Sequence, residues 1–130
     1  MTDEPLLRKL QVKRGRSLRL VNAPTDYVER ISPLPNESRL VAEGYADVVQ
    51  VFVHNEADVR KLAEPAASAG GILWMTYPKQ TSKVETDVTR DVGWEALREL
   101  GWRPVAQISI DEVWSAVRFR PGEGLQPRAR

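Results

Sequence analysis

Few residues in this chain are equipped for chemistry. The run Tyr77-Pro78-Lys79-Gln80-Thr81-Ser82-Lys83 puts two ammonium groups and two aliphatic hydroxyls close together. Such a run can hold a phosphate or a carboxylate, with Lys79 and Lys83 as point charges and Ser82 as a hydrogen-bond donor. The same composition also describes a solvated loop that is polar because it is exposed. His54 is the one histidine, and Asn55 follows it. An imidazole works as a general base only beside a nucleophile or acid, which must come from elsewhere in the fold. Asp111-Glu112 pairs two carboxylates ahead of Val113-Trp114-Ser115. Paired carboxylates suit a metal or acid–base work. A turn accounts for Asp111 equally well, because an Asp side chain bonds its own backbone there, and the turn is the reading adopted. With no cysteine and a single histidine, a thiol nucleophile, a disulfide framework and a thiolate or multi-histidine metal cluster are excluded.

These residues need elements to position them. Leu6, Leu7 and Leu10 share one face of a short helical pattern over Pro5–Leu10. Lys13-Arg14-Gly15 reads as a turn, and Ser17–Val21 as a strand ended by Asn22-Ala23-Pro24. Pro24 suits the entry to a helix carrying Tyr27, Val28 and Ile31, with Thr25 or Asp26 as its cap. Ser32-Pro33-Leu34-Pro35-Asn36 is a loop, and Arg39–Ala42 a short second strand. The strongest strand signal is Ala46–Val53, nearly continuous and β-branched, as expected of a strand covered on both faces. Asn55 then caps a helix carrying Val59, Leu62, Ala63 and Ala66, with Asp58 in the reciprocal capping position, and Gly70-Gly71 stops it. Ile72–Tyr77 is a fourth strand, halted by Pro78. Thr86 or Asp87 is expected to cap a further helix with Val88, Val92, Leu97 and Leu100 among its apolar positions. Val105–Ile110 and Trp114–Phe119 are two closing strands.

Strands alternating with amphipathic helices predict an α/β fold with a mostly parallel sheet. The link between the last two strands is too short for a crossover, so they pair antiparallel. The expected architecture is a small Rossmann-like three-layer sandwich with a C-terminal antiparallel hairpin. Residues 1–121 form one domain, and 122–130 a flexible tail. At 130 residues one domain is the default, and 42% hydrophobic residues suit a globular core.

Ligands of open parallel sheets sit at the carboxyl ends of the strands. Here those ends are Asn22-Ala23-Pro24, His54-Asn55 and Tyr77-Pro78-Lys79. A dinucleotide or S-adenosylmethionine site needs glycine in the first strand–helix turn, so that backbone can approach the ligand. Val21-Asn22-Ala23-Pro24-Thr25-Asp26 contains none, and Pro24 lacks an N–H. No such cofactor is expected, and no GxxxxGK[ST] phosphate loop is present.

Lys plus Arg number 19 against 18 for Asp plus Glu. A chain so balanced has no global field for nucleic acid, although Arg8 to Arg19 and Arg118 to Arg130 concentrate cations at the two ends. The ends read as solvated, and nucleic acid is not an expected partner. No stretch approaches the roughly 20 apolar residues that span a bilayer, and the N-terminus has no secretory pattern. A cytoplasmic location is expected. Trp74, Trp94, Trp102 and Trp114 are expected in the core with paired N–H groups; an exposed subset would instead stack on a ligand or make a dimer contact along the closing strand edge.

Leu20-Val21-Asn22-Ala23-Pro24 with Tyr27, Gly71-Ile72-Leu73-Trp74 through Tyr77-Pro78-Lys79, Thr81-Ser82-Lys83, Thr86-Asp87, and Asp111-Glu112-Val113-Trp114-Ser115 with Arg118-Phe119 together resemble a bacterial family, domain of unknown function 3052. The resemblance spans roughly Leu7 to Pro121. It implies a degenerate class I methyltransferase-like domain and brings no activity, cofactor or catalytic residue. It marks Asn22, Tyr27, Lys79, Ser82, Lys83, Asp87, Asp111 and Trp114 as motif positions. With His54, and without Asp87, these are the candidate ligand-binding residues. The leading expectation is a non-catalytic binding or regulatory domain for a small anion or a protein partner at the carboxyl edge of the sheet. The alternatives are a small enzyme using Lys79 or His54 in acid–base chemistry, and a homodimeric assembly module.

Overall fold

The structure, a computed structural model, describes residues 4–34, 37–68, 70–79, 82, 86–89 and 92–121. Lys83 and the expected tail over 122–130 lie outside the described residues. Strands β1 (Ser17–Val21), β2 (Arg39–Val41), β3 (Ala46–Phe52), β4 (Gly70–Pro78), β5 (Trp102–Ser109) and β6 (Trp114–Pro121) form one sheet in the order β2-β1-β3-β4-β6-β5. The first four are mutually parallel, whereas β6 runs antiparallel to both β4 and β5. The architecture is therefore a mixed α/β sheet, mostly parallel, with an antiparallel C-terminal part. No helix among the described residues is long and apolar enough to cross a membrane.

Strand alternation sends side chains to two faces, and each face has its own core. Helices α1 (Glu4–Lys9) and α2 (Thr25–Ile31) lay Leu6, Leu7, Tyr27 and Ile31 on Leu18, Val48, Phe52, Trp74 and Ala116. On the opposite face α3 (Glu56–Ser68) and α4 (Glu95–Glu99) lay Val59, Ala63, Ala66 and Leu97 on Val49, Val51, Leu73, Met75 and Val117. This double covering is why β3 is apolar at nearly every position. Two polar residues sit fully inside it, Gln50 and Thr76. They are tolerated because they are bonded: Tyr27 Oη donates to Gln50 Oε1 at 2.8 Å, and Gln50 Nε2 donates to Thr76 Oγ1 at 3.0 Å.

Several local expectations are corrected. The entry to α2 is Pro24, with no side-chain cap from Thr25 or Asp26; the Pro24 carbonyl accepts from Tyr27 and Val28 N–H. The last helix is also much shorter than its apolar spacing suggests. It begins after Trp94 and spans Glu95–Glu99 only, because Gly93 (φ +102°) turns the backbone just ahead of it. Val88 and Trp94 are still buried, by an irregular loop in which Thr86 Oγ1 accepts from Val88 N–H and Trp94 Nε1 donates to the Thr89 carbonyl. Asp87 caps a different helix, accepting from Glu56 N–H at 2.7 Å at the start of α3. Of the four tryptophans, Trp74 and Trp94 are core, whereas Trp102 and Trp114 are half-buried. Strand β5 starts at Trp102, three residues before its expected start, and forms one edge of the sheet. Pro104 and a register shift between Pro104 and Ala106 blunt that edge.

Candidate functional site at the carboxyl edge of the sheet

The chain leaves β1 for β2 on one side through α2, and leaves β3 for β4 on the other side through α3. The two helices lie on opposite faces. Neighbouring strands whose connections diverge in this way open a crevice at their carboxyl ends. Asn22 and His54 stand on its two sides. Asn22 adopts a left-handed backbone (φ 63°) and donates its Nδ2 to the Phe52 carbonyl at 2.9 Å, tying the end of β1 to the end of β3. Asparagine tolerates this conformation better than other non-glycine residues. The one left-handed residue of this turn is thus an asparagine and not a glycine. The turn does carry side chains at every position. Asn22→Ala is expected to cost about 1–2 kcal/mol, through left-handed strain and the lost bond. Asn22→Gly relieves the strain and should recover part of that loss; chemical denaturation of the three proteins checks the order.

Beyond Asn22 the crevice is bordered by rings. Tyr27 meets Phe52 edge-on at 4.8 Å, Phe52 meets Trp114 at 5.1 Å, and Trp114 meets His54 at 5.5 Å. The row runs from the core to the surface. Tyr27 is only 3% exposed, so this candidate is a packing residue that a ligand does not reach. The His54 side chain is 50% exposed. Its Nδ1 lies 3.5 Å from Asp58 Oδ2, and its backbone N–H donates to the same oxygen at 2.8 Å. Asp58 N–H in turn donates to Asn55 Oδ1 at 2.9 Å, which bears out Asn55 as the cap, while the Asp58 carboxylate accepts from His54 N–H in place of the expected reciprocal bond to Asn55. Among the described residues, no hydroxyl is bonded to His54.

The remaining candidates lie on the neighbouring turns, and their polar groups are engaged with the protein itself. Lys79 Nζ donates to Ser109 Oγ at 2.7 Å, and Lys79 N–H donates to the Val113 carbonyl at 2.6 Å. Ser82 Oγ donates to the Lys79 carbonyl at 2.7 Å. Asp111 Oδ1 accepts from both Val113 and Trp114 N–H at 2.8 Å, which is the expected turn. Its Oδ2 accepts from Arg30 Nη1 at 2.8 Å, and the Arg30 guanidinium also lies 5.6 Å from the centre of the Tyr27 ring. Burial pushes the Asp111 carboxyl up, but the Trp114 and Val113 N–H groups and Arg30 outweigh it and hold the acid below its ordinary value. No three metal-ligating side chains converge among the described residues.

The sequence reading did not find Asp58 as the partner of His54, nor Arg30 and Phe52 as parts of this edge. The signal for Asp58 was available in its four-residue spacing from His54. Arg30 and Phe52 left no such trace, because their partners lie far away in the chain.

No protein-family model matches this chain. No curated protein matches it either. Among solved structures, it is similar to the PH0226 protein from Pyrococcus horikoshii OT3, at 15% sequence identity and a TM-score of 0.47, over 93% of this chain and 88% of that one.

Proposed function

We propose that this chain is a non-catalytic binding domain that takes a small ligand or a partner's side chain in the crevice between the ends of β1 and β3. The observation that carries this reading is the half-exposed His54 ring, set against Trp114 just past the end of β3, where the connections of β1 and β3 diverge and Asn22 ties the two strand ends together. His54 is oriented by Asp58, as a base would be, and this is what favours the enzyme alternative. With no hydroxyl on the imidazole among the described residues, binding is the better supported use. Arg30 and Lys79 are bonded to the protein's own groups, and Asp26, Glu56 and Asp58 stand near the same edge. A planar ligand held by ring edges and amide bonds therefore fits this crevice better than a phosphate.

The finer fold reading belongs to the same proposal. We read the sheet as a shortened Rossmann-like, methyltransferase-like one, in a bacterial cytoplasmic protein of the family named above. The support is the reversal of connections between β1 and β3 and the antiparallel β6 inserted between β4 and β5. No cofactor is included, because Asn22, Ala23 and Pro24 fill the turn where one would need bare backbone.

Amide NMR tests the site, with adenosine and benzoate as probes at millimolar concentration. Shifts are expected at Asn22, His54 and the Trp114 indole, with binding weakened at least about tenfold in His54→Ala. If neither probe moves these signals, the crevice reading falls.

A further inference from the structure

We propose that Arg103, Arg118 and Arg120 form a second site, for a phosphate-bearing ligand, at the opposite end of the sheet from the crevice. Arg103 is the second residue of β5 and Arg120 the next to last of β6, and the two are direct cross-strand partners. Side chains at such positions share one face, with Cβ atoms about 5 Å apart. Arg118 is two residues back along β6, so it projects on the same face, roughly 7 Å from Arg120. Register places that face: Arg118 pairs with Trp74 of β4, whose ring packs in the α1–α2 core.

Three guanidiniums on one face of two adjacent strands repel one another, and like charges directly opposite in a sheet destabilise the pairing. Among the described residues, none of the three has a carboxylate within ion-pair distance, in contrast to Arg14, Arg30 and Arg60. Arg118 Nε is also buried with no hydrogen-bond partner. A buried N–H on a charged group is costly when unmatched. A multivalent oxyanion answers the repulsion: it neutralises the cluster, and its oxygens accept from the exposed guanidinium N–H groups. The guanidinium's preference for bidentate binding makes phosphate the fitting class. Its source is either a free phosphate group or the phosphodiester of a nucleic-acid strand.

Thermal unfolding of the full chain tests this, with inorganic phosphate and a thymidine oligonucleotide as probes and sodium chloride at equal ionic strength as the blank. Phosphate is expected to raise the Tm above the blank. Arg103→Gln and Arg120→Gln are each expected to weaken that response at least about tenfold in concentration, and Arg120→Lys to weaken it less. Without phosphate, Arg120→Gln is expected to melt about 1 °C or more above the wild type, because one repulsion is gone. His54→Ala should leave the phosphate response intact, which separates this site from the crevice. A response to the oligonucleotide alone, with the same arginine dependence, assigns the phosphodiester as the source. No response to either probe, an unchanged response in the glutamine variants, or a lower phosphate-free Tm for Arg120→Gln overturns the proposal.

Discussion

Trp94→Ala is expected to destabilise the protein by about 4 kcal/mol, the largest loss of any single substitution considered. Trp94 is 1% exposed and stands at the entry to α4. Its ring meets Tyr77 at 5.7 Å and Phe119 at 5.2 Å, so it packs on β4 and β6 where the antiparallel part of the sheet joins the parallel part. It also holds the irregular loop ahead of α4, through the 2.7 Å bond from Nε1 to the Thr89 carbonyl. Alanine removes both the packing and the donor. Phenylalanine keeps much of the packing and loses only the donor, so Trp94→Phe is expected to cost about 1–2 kcal/mol. Urea unfolding of the two variants reads the difference directly. If the alanine variant lost less than the phenylalanine variant, the loop would not depend on this ring.

Asp111→Ala is expected to cost about 3 kcal/mol, because one side chain serves three donors. Its two oxygens close the turn between β5 and β6 and anchor Arg30 of α2 to that turn. Trp114, the neighbour of His54, starts at the same turn, so the loss should reach the crevice as well. Asp111→Asn separates the contributions. The amide oxygen can still accept from Val113 and Trp114 N–H, while the charge facing Arg30 is gone, and a cost of about 1 kcal/mol is expected. The pH dependence follows from the direction of the shift. The folded acid titrates below its ordinary value, so its contribution is complete above about pH 4 and is lost as pH falls through the depressed folded pKa. The stability gap between wild type and Asp111→Asn should therefore be full at neutral pH and close on acidification. A gap that widened in acid would show that the charged form is not the one the fold favours. In the amide spectrum, Asp111→Ala should also move the His54 signal, whereas Arg103→Gln should not.

Local patterns in the sequence located all six strands, because an apolar run or alternation is a property of a few consecutive residues. Ala46 to Phe52 is legible as a strand with both faces covered, and the four residues between β5 and β6 leave no room for anything but antiparallel pairing. The cap at Asn55 and the turn at Asp111 were legible for the same reason, since each is closed by partners within three residues. The failures are equally instructive. Val88, Val92 and Leu97 have helical spacing, yet only Leu97 lies in a helix; Val88 is buried without one, and Val92 is exposed. Tyr27 looked available to a ligand until α2 laid it on Gln50. Only the tertiary structure decided that β6 inserts between β4 and β5, that Arg30 reaches Asp111 across 81 positions, and that Arg103 faces Arg120. Strand order and register are set by how two covered faces pack together. Charges scattered along a nearly neutral chain become a cluster only when that register brings them to one side.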